Sequence, residues 1–108
     1  MKIVWSPLAL KRVQEIAAYI AMDKPSAAED WIRGLFKAVA KLGRYPEIGR
    51  IVPEVQRAVI REIVYKSYRA VYRQDGDISV LTVIHGRQLL DEAGFVKGNS
   101  SGKRTEAF

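Results

Sequence analysis

Apolar side chains recur every three to four positions from Pro7 to about Ala21, lapse over Met22, Asp23 and Lys24, and recur again from Pro25 to about Leu42. That interruption constrains the fold more than any other feature. Two amphipathic helices joined by so short a link fold back on each other as an antiparallel hairpin. Ser6 before Pro7 is a start signal: a serine hydroxyl satisfies a free helix N–H, and proline lacks the N–H that would go unpaired there. The first stripe is Leu10, Val13, Ala17 and Ile20, widened by Leu8 and Ile16. The second is Trp31, Leu35, Ala38, Val39 and Leu42, flanked by Ile32 and Phe36. Gly34 lies inside that stripe at a cost of about 1 kcal/mol against alanine, which points to close approach of the first helix. Gly43 is placed to cap the second helix.

The remainder reads as sheet. Residues 2 to 6, KIVWS, form a short first strand. Residues 44 to 57, with Pro46, Gly49 and Pro53, form a connection of turns. Three β segments follow: Val59 to Tyr65, Tyr68 to Arg73, and Ile78 to Ile84. Lys66-Ser67 and Asp75-Gly76 reverse the chain between them, and strands joined this briefly are antiparallel. The expected fold class is α+β, in the order β-α-α-β-β-β, with the helical hairpin packed on one face of a mainly antiparallel sheet. The other face is expected to stay at least partly open. Residues 1 to 93 make a single domain; Gln88 to Ala93 read as one helical turn, and the polar, aperiodic stretch from 94 to 108 as a disordered tail.

The chain has no cysteine, so thiolate chemistry and disulfides are excluded. His85 is the single histidine and cannot form a zinc cluster. No phosphate-binding glycine loop, nucleophile elbow or carboxylate pair at metal-ligand spacing is present, so no metal or cofactor is expected. No apolar run approaches the roughly 20 residues that span a bilayer. Pro7, Lys11 and Arg12 interrupt the N-terminal apolar stretch too early for a signal peptide. A cytoplasmic protein without membrane contact is expected.

Net charge is +6. Between Arg44 and Arg73 there are seven Lys or Arg against three Glu, a balance that attracts phosphates or an acidic protein partner. In REIVYKSYRAVYR, alternation puts Tyr68, Ala70 and Tyr72 on one face and Arg69, Val71 and Arg73 on the other, away from the helices. Whether Arg61 shares the face of Arg69 is left open by its own strand. If it does, and Lys66 lies near, the uncovered sheet carries a cationic concavity; otherwise these are solvated charges that discourage edge pairing. His85 and Arg87 end the last strand, as surface or capping residues or as an acid/base beside phosphate-binding arginines. Tyr65, Tyr68 and Tyr72 read either as core aromatics or as platforms for bases.

The ordered pieces VWSPLAL, DKPSAAEDW, YPEIGRIVPE, REIVYKSYRAVYR and LTVIHGR, spanning about four-fifths of the chain, resemble the RelE/ParE superfamily of type II toxin–antitoxin toxins, on the ParE side. The resemblance implies the same fold, and a bacterial toxin wrapped and neutralised by a flexible, often acidic segment of a cognate antitoxin. It implies one of two activities. RelE-like toxins cleave mRNA on the ribosome without metal; ParE-like toxins poison DNA gyrase. Arg69 matches the strand arginine that RelE-like toxins use on the scissile phosphate, and His85 and Arg87 fall near their end-of-strand groups. The chain departs from that pattern: no tyrosine follows Ile84, and no Lys-x-Lys pair precedes the arginine, only Lys66. The expectation is therefore a gyrase-directed toxin with no catalytic residue, whose antitoxin- or target-binding surface is Arg61, Lys66, Arg69, Arg73 and Arg87. The alternatives are a ribosome-dependent endoribonuclease using Arg61, Lys66, Arg69, His85 and Arg87, and a degenerate toxin that only binds its antitoxin. DNA contact is expected only through the antitoxin.

Overall fold

The computed structural model describes residues 1–91; the expectations for residues 92 to 108 lie outside the described residues. Strand β1 (Ile3–Trp5) leads into α1 (Pro7–Asp23) and α2 (Pro25–Ala40), then a short 3-10 turn (Lys41–Gly43), β2 (Arg50–Ile51), β3 (Ile60–Tyr65), β4 (Tyr68–Asp75) and β5 (Asp77–His85). The sheet order is β1-β5-β4-β3-β2. β1 runs parallel to β5, and every other neighbour is antiparallel. The α+β class, the helical hairpin and the mainly antiparallel sheet are as the sequence implies. β2 is an additional strand of two residues inside the connection read as turns alone.

Ser6 starts α1 as its sequence predicts. Its Oγ accepts from the Ala9 N–H at 2.9 Å and donates to the Leu81 carbonyl at 2.9 Å. Leu81 is skipped in the β4–β5 register, which passes from Tyr72↔Val80 to Val71↔Thr82. The serine thus caps the helix and ties it to this bulge, which lets both Val80 and Val83 join the core under the helices.

That core is Ala9, Val13 and Ile16 from α1, Trp31, Leu35 and Val39 from α2, Leu42, and Ala70, Tyr72, Ile78, Val80 and Val83 from the sheet. The α1 stripe is rotated from the expected one: Ala9 is buried and Leu10 is 42% exposed. Gly34 does face a close approach, but from the sheet. A Cβ there would collide with the Tyr65 hydroxyl, so β3, not α1, requires the glycine. Gly43 does not cap α2 in the left-handed region. The helix tightens into the 3-10 turn, and the Gly43 carbonyl accepts from the N-terminal ammonium at 2.7 Å.

The second face of the sheet departs most from expectation. It is covered around Ile60, Val71 and Ile84, and open at Val64, which is 55% exposed. Val52 and Val55 from the connection and Leu90 from the C-terminal end pack on Ile60, Val71 and Ile84 as a separate buried cluster. Residues 88 to 91 form no helical turn, and Leu90 is 1% exposed. Five strands therefore sit between two apolar layers, one helical and one made of loops.

Candidate functional site

The hairpin turn at Lys66-Ser67 pairs Tyr65 with Tyr68, and so fixes the register of β3 on β4: Val64 meets Arg69, Glu62 meets Val71, and Arg61 meets Tyr72. Directly opposed residues share a face. Arg61 therefore lies with Tyr72 on the helical side, and Arg69 with Glu62 and Val64 on the side covered by loops. A shared cationic concavity of Arg61 and Arg69 does not form.

Arg69 is enclosed by acids. Its Nε donates to Glu62 Oε1 at 2.5 Å, its Nη2 to Glu54 Oε2 at 2.7 Å, and its Nη1 to the Gln88 carbonyl at 2.7 Å. Its side chain is 5% exposed and that of Glu62 is 0% exposed. Arg50 Nε closes the second oxygen of Glu62 at 2.5 Å, and Glu54 Oε2 also accepts the Leu90 N–H at 3.1 Å. A buried charge is tolerable only when paired and hydrogen-bonded throughout, and here each partner supplies that to the next. Burial alone pushes the Glu54 carboxyl up. Its own backbone N–H, Arg69 and the Leu90 N–H outweigh burial and hold it below its ordinary 4.5. Burial likewise pulls Arg69 down, but its bonds to Glu62 and Glu54 hold it above its usual value. The guanidinium stays charged and locked.

A pH dependence follows. Because the folded value of Glu54 is depressed, its contribution to stability is complete above pH 4.5 and is lost as pH falls through the folded value. Urea unfolding at pH 7 and pH 3.5 is expected to show this loss. Glu54→Gln, which keeps an acceptor for Leu90 but no charge for Arg69, lowers stability at pH 7 and flattens the acid loss. Equal acid loss in both proteins contradicts the assignment.

The remaining expected residues are dispersed. Arg61 is tied to backbone, donating to the Gly49 carbonyl at 3.0 Å and the Ala58 carbonyl at 3.2 Å. Arg73 lies on the face of Arg69, near the far end of β4, and pairs with Asp75 at 3.1 Å. Lys66, His85 and Arg87 lie on neighbouring turns, with the Lys66 ammonium over the Tyr65 ring at 5.7 Å. The Gly86 N–H donates to the Ser67 carbonyl at 2.8 Å, which joins the two turns that carry them. His85 Nδ1 accepts the Arg87 N–H at 3.1 Å. His85 faces Tyr68 edge-on at 5.5 Å, on the helical side. Arg61 and His85 share that side but stand opposite Tyr72 and Tyr68, about 13 Å apart along the strand at 3.3 Å per residue.

The tyrosines are largely structural. Tyr72 is 1% exposed, donates to the Pro46 carbonyl at 2.8 Å and accepts the Gly49 N–H at 3.1 Å, so it is no platform for a base. Burial pushes its hydroxyl up. Tyr68 packs edge-on against Trp31 at 5.3 Å, and burial raises its hydroxyl too.

Sequence reasoning missed Glu54, Glu62 and the groove at the His85 end. Glu62 was within reach: the turn register makes it a diagonal neighbour of Arg69, close enough for long side chains. The groove, about 800 Å³, is lined by Ile16, Tyr19 and Met22 of α1 with Tyr68, His85 and Gln88. Tyr19 is 70% and Met22 84% exposed, which is the kind of apolar surface that marks contact with another protein. Among the described residues, no three His, Asp or Glu gather as a metal site, and no helix is long and apolar enough to cross a membrane.

Comparison with known proteins agrees with this architecture. Residues 3–90 match the family described as "ParE toxin of type II toxin-antitoxin system, parDE". A protein of Sinorhizobium fredii named "Putative toxin Y4kP" is 36% identical over 89 residues, which cover 81% of this chain and 90% of that protein. A solved structure titled "Chromosomal ParDE TA system from P. aeruginosa" superposes with a TM-score of 0.66 at 19% identity, covering 79% of this chain and 95% of the other.

Proposed function

The chain belongs to the ParE toxin family of type II toxin–antitoxin systems, and from that premise we propose that it arrests growth by binding DNA gyrase and is neutralised by a cognate antitoxin. One observation carries the choice of mechanism. Arg69, the position that would hold a scissile phosphate in an RNA-cutting relative, is closed between Glu62 and Glu54 and 5% exposed. A phosphate reaching it would have to displace two carboxylates that are already bonded. Toxicity then runs through protein contact, for which the Tyr19–Met22 groove offers apolar area of the kind that anchors interfaces. No cofactor enters this reading, and contact with operator DNA falls to the antitoxin.

A second reading rests on Lys66, His85 and Arg87 being carried by two joined turns at one end of the sheet. They provide cations and an acid/base group, but without the strand arginine. Inducing the chain without antitoxin separates the readings. The gyrase reading expects growth arrest with DNA breaks and intact transcripts. Cleaved transcripts with unbroken DNA would move the function to the ribosome, and normal growth would leave only antitoxin binding.

A further inference from the structure

The outward face of α2 carries a row of cations. Arg33, Lys37, Lys41 and Arg44 follow one another at intervals of four, four and three residues. They therefore line one side of the helix and continue through the 3-10 turn that ends it. All four are exposed, and they stand opposite the stripe of Trp31, Leu35, Val39 and Leu42 that fixes the helix on the core. At roughly 1.5 Å per residue, the run from Arg33 to Lys41 is about 12 Å long. Arg50 of β2 extends the row, since it lines one groove with Lys41. Its Nε is bonded to Glu62, yet its side chain is 60% exposed. Residues 31 to 50 hold these five cations against a single acid, Glu47. Arg33 pairs with Asp30 at 3.1 Å, but both are exposed, and such a pair contributes little. Among the described residues Lys37, Lys41 and Arg44 have no acidic partner. The helix dipole favours Lys37 and Lys41 at the end of the helix. It accounts neither for Arg33, in mid-helix, nor for Arg44 and Arg50, beyond its end.

We propose that this row holds the phosphate backbone of the duplex DNA bound to gyrase, so that the toxin touches both the enzyme and its DNA. The inference rests on the gyrase reading given above, and it concerns DNA on the enzyme, not operator DNA. The composition of the face selects the occupant. A protein partner is held by buried aromatic or aliphatic anchors, and from Arg33 to Arg44 no large apolar side chain is exposed. A duplex offers one phosphate per about 3.4 Å of axis on each strand, so a rigid row about 12 Å long runs beside three or four of them. Contacts of this kind position a protein on DNA without reading its sequence. The apolar groove at Tyr19 and Met22 belongs to α1 and the opposite end of β4, and it stays available to the enzyme while α2 faces the DNA.

Two double variants that remove the same charge test the proposal. Lys37→Gln with Lys41→Gln empties the middle of the row. Lys24→Gln with Arg57→Gln removes two exposed cations outside it. All four positions are exposed, and the thermal unfolding curves are expected to stay unchanged. Each protein is titrated against a labelled duplex of arbitrary sequence over a series of salt concentrations. For the native chain, log K is expected to fall with log salt at a slope of roughly −4, because each phosphate contact contributes about −0.9. The row variant is expected to bind at least tenfold more weakly, with a slope shallower by about 2. The control is expected to stay within about twofold of the native chain. Binding to purified gyrase is then measured with and without the same duplex. The native chain and the control are expected to bind the enzyme–DNA complex at least tenfold more tightly than the enzyme alone, and the row variant to gain less than about threefold. Equal weakening of DNA binding by both double variants would assign it to net charge and overturn the inference. A row variant that gains from DNA as much as the native chain would overturn it too. Weaker binding of the row variant to the enzyme without DNA would give this face to a protein partner and overturn it as well. If the native chain binds gyrase in neither state, the gyrase reading falls and this inference falls with it.

Discussion

Arg69→Ala is expected to cost this domain most of its stability. The change removes the cation from between a fully buried Glu62 and a largely buried Glu54. Breaking a buried ion pair from one side costs about 3–5 kcal/mol, against a total of about 5–15 kcal/mol for a typical domain. In a domain of this size each kcal/mol moves Tm by roughly 4–8 °C, so a fall of at least about 12 °C is predicted. The bond from Arg69 to the Gln88 carbonyl is lost too, which loosens the segment that brings Leu90 onto the second core. Loss of toxicity in this variant is therefore no sign of catalysis. The pair Arg69→Met with Glu62→Leu separates the two roles, because apolar residues of similar volume can replace a buried ion pair at little cost. The double variant is expected to recover part of the lost Tm, since Glu54 still lacks its cation, and to arrest growth. Recovery of the fold without recovery of toxicity would give Arg69 a direct role in function.

Gly49→Ala is the second large effect. A Cβ at this position would lie 2.5 Å from the Tyr72 hydroxyl and 2.6 Å from the Glu62 carbonyl oxygen. Neither can yield. Tyr72 is 1% exposed and holds the Gly49 N–H and the Pro46 carbonyl through its one hydroxyl, and the Glu62 carbonyl belongs to a paired strand. Overpacking costs about 1–3 kcal/mol, and disturbing the two hydroxyl bonds adds about 1 kcal/mol each. Denaturant unfolding of Gly49→Ala should therefore show a loss of about 3 kcal/mol or more. Tyr72→Phe provides the check. With the hydroxyl absent, Gly49→Ala should cost at least about 0.5 kcal/mol less than in the native background. Strictly additive effects would assign the cost to something other than this contact.

The two helices were legible because their start signals are local: Ser6-Pro7 and Lys24-Pro25 act within a turn of where they stand. The β3–β4 and β4–β5 reversals at Lys66-Ser67 and Asp75-Gly76 were legible for the same reason. The second core was not. Val52 and Val55 sit among Pro46, Gly49 and Pro53, where no periodicity survives, and Leu90 lies in a segment with none. Their burial depends on contacts across the sheet between residues far apart in sequence. That omission set the error at Arg69. Alternation placed it correctly on the face away from the helices, but a face taken as open made a buried ion-pair hub read as surface charge. The groove at Tyr19 and Met22 was hidden differently. Both side chains belong to a helix whose inward stripe is Ala9, Val13 and Ile16, and only the fold brings them beside Tyr68 and His85.

The central claim is that the toxin acts on gyrase by contact. Its most direct test adds the purified protein to DNA gyrase and measures supercoiling, with and without ATP, scoring cleaved DNA alongside. The account predicts concentration-dependent inhibition with cleaved DNA trapped, retained by the Arg69→Met, Glu62→Leu variant. A folded, growth-arresting protein that leaves supercoiling untouched would contradict it.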